Sequence, residues 1–211
     1  MEFITEKEWK PAMIHVCDLV VAAEPMLTAM DTIIGDGDHG FGMRDGFREL
    51  RTVLMSREYT SLYELLRDSG IELVKNMGGA SGVIFGTMFT GGYGVINGKD
   101  RIDADDLIEF FDEGSKTIMR RGRSEPGNKT MLDALVPAIE AMRLKRKETA
   151  DIKEILAAAH EGAVRGMEST KSMIPRLGRS KNFRESAIGH ADPGAMSVTI
   201  IFKGLSEGIE V

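Results

Sequence analysis

Eight times along this chain, apolar residues recur at three- and four-residue spacing behind a capping residue or a proline. That period predicts amphipathic helices and leaves little of the chain for a sheet. Thr5-x-x-Glu8 has capping-box spacing ahead of Met13, Val16, Cys17, Val20 and Val21. Pro11 marks the true first turn or a kink, and Pro25 breaks or bends this first helix just before an acidic stretch. A second helix carries Phe41, Phe47, Leu50, Val53 and Leu54, with Arg44, Arg48 and Arg51 towards solvent. Ser61-x-x-Glu64 opens a third, Val83 to Ile96 forms a fourth despite its glycines, and Asp103-x-x-Asp106 starts a fifth. Met131 to Lys147, Asp151 to about Met173, and the segment opened by Asp192-Pro193-Gly194 complete the set. The run Val198–Ile201 is β-branched, yet a proline directly behind a capping aspartate predicts helix there. The expected fold class is all-α, an eight-helix bundle forming one domain over residues 1–211 with no strand.

Eight helices in up-and-down order place alternate connections at the same end. The connections at 31–42, 76–82, 122–130 and 178–194 are the polar, glycine-rich ones, and they fall on the same parity. Helix count alone therefore predicts one composite site at one end of the bundle.

The densest chemistry lies in Asp31-Thr32-Ile33-Ile34-Gly35-Asp36-Gly37-Asp38-His39-Gly40. Asp and Gly are poor residues inside helices and strands, and closely spaced carboxylates repel unless a cation lies between them. Oxygen donors suit Mg²⁺ or Ca²⁺, and the glycines let the backbone turn around an ion. An EF-hand is excluded, because counting from Asp36 its sixth and twelfth positions are Phe41 and Phe47. A purely structural turn is the competing reading. His39 reads as a metal ligand, a phosphoryl carrier or a cap, with the ligand role disfavoured for Mg²⁺. Gly78-Gly79-Ala80-Ser81-Gly82 precedes a helix, where free N–H groups and the helix dipole attract phosphate; a plain turn explains it equally well. Arg123, Lys129 and Arg179 either face anionic oxygens or are ordinary solvated charges. His190 lies near the site, whereas His15 and His160 read as structural.

Composition narrows the function classes. The 211 residues carry a formal net charge of −6, against the basic surface expected of a nucleic-acid binder. The single cysteine, Cys17, excludes an intrachain disulfide and a thiolate cluster. No signal-peptide pattern opens the sequence, and no apolar run approaches the roughly 18 residues of a membrane span. A cytoplasmic location without nucleic-acid or membrane partners is the expectation.

Four motifs carry a family resemblance: Asp31-x4-Asp36-Gly37-Asp38-His39-Gly40, Gly78-Gly79-Ala80-Ser81-Gly82, Glu125-Pro126-Gly127-x-Lys129-Thr130-Met131 and Ile188-Gly189-His190-x-Asp192-Pro193-Gly194-Ala195. In order and spacing the chain resembles the nucleotide-binding L subunits of bacterial dihydroxyacetone kinases. The resemblance implies a closed barrel of eight antiparallel helices with ADP or ATP and two Mg²⁺ ions at one end. It assigns metal binding to Asp31, Asp36 and Asp38. It assigns nucleotide contacts to His39, Gly40, Phe41 and Gly42, to Ala80 and Ser81, to Gly122, Met131 and Arg179, and to Asp192, Pro193 and Gly194. Dihydroxyacetone would be held covalently on a separate K subunit, and no catalytic residue is assigned within this chain. The short chain and His39, where fused ATP-dependent kinases commonly carry Cys or Thr, resemble the phosphotransferase-system branch. In that branch ADP is a retained cofactor rephosphorylated by a phosphohistidine M subunit. Gly42 departs from the usual His-Gly-x-Asn-Met, which removes an amide contact and leaves nucleotide retention and the exact ketose open. A nucleotide-sensing regulatory module, a paralogous kinase subunit for another small ketose, and a metal-binding structural protein are the alternatives.

Overall fold

The structure is a computed structural model describing residues 1–209; the last two positions of the expected 1–211 domain, Glu210 and Val211, lie outside the described residues. Its elements in order are β1 (Phe3–Ile4), α1 (Glu6–Ala22), α2 (Glu24–Ile34), α3 (His39–Ser56), α4 (Leu62–Met77), α5 (Gly79–Thr90) and α6 (Tyr93–Ile96). Then follow β2 (Ile102–Asp103), α7 (Ala104–Gly122), α8 (Leu132–Arg146), α9 (Ile152–Ser169) and α10 (Pro193–Gly208).

Local chemistry sets most helix starts. Thr5 and Glu8 form a complete capping box. Ser61 accepts from the Glu64 amide, but the Glu64 carboxylate turns to the Thr60 amide and hydroxyl, so this box is only half made. Asp103, Asp151 and Asp192 cap α7, α9 and α10 through the amides of Asp106, Lys153 and Ala195. Each such cap contributes about 1 kcal/mol.

Eight long helices close into a ring. Each of α1, α3, α4, α5, α7, α8, α9 and α10 packs on the next, and α10 returns to α1. The antiparallel all-α barrel is therefore realised. Its interior is filled by side chains. Phe111 of α7 meets Phe110 at 5.3 Å and Phe202 of α10 at 5.1 Å between ring centroids, and all three are fully buried. Burying a side chain of this size contributes roughly 1.5–3 kcal/mol.

The break expected at Pro25 is present, two residues early, and further expectations need correction. The first helix breaks at Ala23, and α1 and α2 differ in direction by 55°. Pro25 sits in the first turn of α2, where its missing N–H costs nothing. Pro11 lies inside α1 on an exposed face, so water can meet the carbonyl its ring deprives of a donor. The fourth segment is also divided. A Cβ on Gly91 would lie 2.7 Å from Gly114 Cα, and one on Gly92 would lie 2.3 Å from the Phe110 carbonyl oxygen. These glycines press the end of α5 onto α7, and α6 follows as a single turn. Finally, the chain has a strand pair after all: Phe3 and Ile4 pair antiparallel with Asp103 and Ile102. Two residues per strand carry no readable alternation. Among the described residues, no single helix is long and apolar enough to cross a membrane.

Candidate functional site

The acidic stretch is mostly helix. Asp31 occupies the last turn of α2 and is buried, while only residues 35–38 form the turn. Gly35 makes this possible, because a Cβ there would fall 2.0 Å from Asp31 Oδ1. Gly40 is equally constrained: a Cβ would meet Thr28 Oγ1 at 2.2 Å and the Glu24 carbonyl oxygen at 2.6 Å. Glycine at these two positions brings the start of α3 against α2 and gathers the carboxylates. One oxygen from each of Asp31, Asp36 and Asp38 lies within 4.8 Å of the others. Partial burial and the neighbouring charges of Asp36 and Asp31 raise the Asp38 carboxyl above the usual range, with Arg179 opposing. Arg179 Nε donates to Asp36 Oδ2 at 2.8 Å, the one counter-charge found on the cluster among the described residues. Three converging oxygen donors with unbalanced negative charge fit a hard divalent cation.

His39 is tied inward. Its backbone amide donates to Asp31 Oδ2 at 3.2 Å. His39 Nε2 is hydrogen-bonded with Ser197 Oγ at 2.8 Å, and that hydroxyl lies 3.1 Å from the Pro193 carbonyl oxygen. Burial holds its pKa below the ordinary histidine value, which keeps the ring neutral near pH 7. The imidazole also lies 6.1 Å from the Phe85 ring, so one side chain links α3, α5 and α10.

The other loops converge here. Gly78 and Gly79 both adopt positive φ, and no side chain caps α5, which leaves the first amides of α5 free beside exposed Ala80 and half-buried Ser81. A Cβ on Gly42 would lie 3.2 Å from the Met77 carbonyl oxygen, and one on Gly46 would lie 2.1 Å from Met77 Cγ. Gly42 thus lets α3 close on the end of α4, in the space an asparagine side chain would start from. Phe41 is half-exposed at the same rim. On the far side, the Cβ position of Gly194 lies 3.5 Å from Met131 Cβ. Gly122 ends α7, and beyond it Arg123, Ser124, Asn128, Arg176 and Leu177 line an open cavity of about 330 Å³. Asp192 is buried at the start of α10; burial and the charges of Asp133 and Asp31 push its carboxyl up to about 7, against the Ala195 amide and Lys129.

Lys129 overturns the expectation of a cation facing ligand oxygens. It is fully buried, and Nζ donates to the carbonyl oxygens of Thr170 (2.8 Å), Met173 (3.3 Å), Ala187 (2.8 Å) and His190 (2.7 Å). Asp133 and Ser197 were missed at the sequence level. Asp133 is buried and accepts from the amides of Gly127 and Thr130. Thr130-x-x-Asp133 has near-capping-box spacing, so the first was findable; Ser197 becomes visible only when α10 meets α3.

Residues 33–207 match the DAK2 domain model. The chain is 33% identical over 189 residues to the ADP-binding subunit DhaL of the PEP-dependent dihydroxyacetone kinase of Escherichia coli K12, covering 90% of each. It is 34% identical over 194 residues to the corresponding subunit of kinase 2 of Listeria innocua, covering 91% of this chain and 89% of that one. The crystal structure of the C. freundii dihydroxyacetone kinase with AMP-PNP and Mg²⁺ superimposes with a TM-score of 0.75 at 27% identity. That match covers 94% of this chain and 33% of the kinase, so the chain spans a third of that protein's length. A helical ring with its glycine-rich loops gathered at one end, matched along most of its length, makes this chain a member of the DAK2-domain family, of the DhaL type.

Proposed function

We propose that this chain is the ADP-binding subunit of a dihydroxyacetone kinase, acting as one DhaL-type domain that is inactive without its partner subunits. The observation that carries the reading is the cluster of Asp31, Asp36 and Asp38 oxygens within 4.8 Å, linked through His39 and Phe85 to α5, a helix whose start no side chain caps. Carboxylates for a cation and open amides for phosphate oxygens are the two halves of a metal–nucleotide site.

In this reading Asp31, Asp36 and Asp38 hold two Mg²⁺ ions. Mg²⁺ held there would supply positive charge to offset that of a transferring phosphoryl group. The amides at Ala80 and Ser81 and the segment His39–Gly42 take phosphate oxygens. Gly122 and Met131 flank the base, and Asp192, Pro193 and Gly194 close the opposite side. Arg179 exchanges the Asp36 carboxylate for a nucleotide phosphate. His39 serves by orientation, since its Nε2 is engaged by Ser197. The acceptor is dihydroxyacetone held on a separate K subunit, and ADP is rephosphorylated in place by a phosphohistidine M subunit, all in the cytoplasm. The names of the E. coli and L. innocua relatives, ADP-binding and PEP-dependent, support this division of labour.

The test is reconstitution with K and M subunits and phosphoenolpyruvate as phosphate source. The wild-type chain supports dihydroxyacetone phosphorylation, and Asp36→Asn lowers turnover by roughly a hundredfold or more, the scale of losing electrostatic stabilisation at a transferring group. Unchanged turnover in Asp36→Asn removes the metal assignment. Binding of Mg-ADP without any product from the wild-type chain would assign a nucleotide-sensing module instead.

A further inference from the structure

The second polar feature of the site end is a buried cation with no ligand role. The turn 127–130 is held from below by Asp133, which accepts from the Gly127 and Thr130 amides. This grip puts Lys129 at φ 58°, a left-handed conformation that L residues seldom adopt, and directs its side chain inward. There the ammonium gathers four carbonyls from two stretches, Thr170 and Met173 at the end of α9, and Ala187 and His190 just before α10. Three further bonds bind the same segments. Arg176 N donates to the Asn128 carbonyl at 3.1 Å, Gly189 N to the Lys171 carbonyl at 2.7 Å, and Asp192 N to Thr170 Oγ1 at 2.9 Å. The intervening segment 174–190 has only short 3₁₀ turns of its own. It carries Arg179, and it ends at Asp192-Pro193-Gly194.

The geometry points to Lys129 as a positioning residue: its ammonium clamps both ends of the 174–190 segment and so sets Arg179 and the Asp192–Gly194 turn against the acidic cluster. A neutral side chain cannot replace it, because no other residue type offers a charge with three freely rotating donors to carbonyls from several directions. The link to ligand binding rests on the nucleotide-site reading above; the clamp itself does not.

Hydrogen exchange on the ligand-free chain tests the clamp alone. Lys129→Met is expected to raise exchange at the amides of residues 176–192 at least tenfold beyond the change that the lower global stability brings to α1, α3 and α4. Mg-ADP affinity, measured by calorimetry at a temperature where both proteins are fully folded, is expected to fall at least tenfold. Lys129→Arg, which keeps the charge and several donors, is expected to recover part of both losses. Unchanged protection over 176–192, or a uniform loss over all helices with Mg-ADP affinity unaltered, would overturn the clamp. If the wild-type chain binds no Mg-ADP, the nucleotide reading fails while the exchange result still decides the clamp. Should Lys129→Met not fold, Asp133→Asn loosens the same turn with the ammonium retained. Faster exchange over 176–192 in that variant supports the clamp, and unchanged exchange there overturns it.

Discussion

Two charged regions lie at the same end of the ring, and they are built on opposite principles. The turn 35–38 collects three carboxylates and answers them with a single exposed guanidinium, Arg179. The turn 127–130 buries one ammonium and answers it with four carbonyl oxygens. The first region carries surplus charge, and its electrostatics improve only when something binds. The second is satisfied in the folded chain, and its charge serves cohesion. A close approach through glycine makes the first, at Gly35 and Gly40, whereas a carboxylate grip on backbone amides makes the second. Charge at a site is thus no guide to function until its partners are counted.

The largest expected effect lies in the satisfied region. Lys129→Met strands buried carbonyls and should cost about 3 kcal/mol or more, which is a fall of roughly 6–12 °C in Tm for a chain of this size, read by calorimetry. A change within error would erase the contrast. Gly40→Ala comes next. Its Cβ would meet backbone atoms of Glu24 and Thr28 at 2.6 Å, so about 2 kcal/mol of overpacking strain is expected in chemical denaturation, with Mg²⁺-dependent stabilisation weakened as well.

Asp192 bridges the two regions and adds a pH dependence. Its folded carboxyl is raised from 3.8 to about 7, so between these values the native state holds a proton that the unfolded state has released. Its contribution to stability is therefore complete below about pH 4 and is lost as pH rises towards 7. Asn keeps the cap but does not titrate. The Tm difference of Asp192→Asn over wild type should grow from pH 4 to 7 and level off above; a constant difference would contradict the raised value. The smallest effect lies in the acidic turn and is again stabilising. Asp38→Asn removes one of three repelling charges and should stabilise the ligand-free chain by about 0.5–1 kcal/mol while abolishing the thermal shift produced by Mg-ADP. Destabilisation by this variant would show that the acidic turn is satisfied after all.

Much of this was legible in the amino-acid order, because it depends on neighbours in sequence. Thr5, Asp103, Asp151 and Asp192 cap where their spacing predicts, since a cap is a bond to an amide two or three residues away. Helix count and connection parity also brought Asp36 to Arg179 and Gly194 to Met131 across more than 60 positions of chain. What escaped has a common cause. The packing of Gly42 and Gly46 on Met77 and the inward fall of Lys129 both depend on what a distant element presents at close range.

The sequence by itself determined an all-helical chain, the placement of most helix starts, and the gathering of three carboxylates near one imidazole, because period, caps and composition act over a few residues. Only the tertiary structure decided which charges are open and which are spent. Burial and partner geometry set that distinction: Asp36 and Lys129 read alike as polar loop residues, yet one faces solvent beside a lone guanidinium and the other lies wholly inside, coordinated by four backbone oxygens.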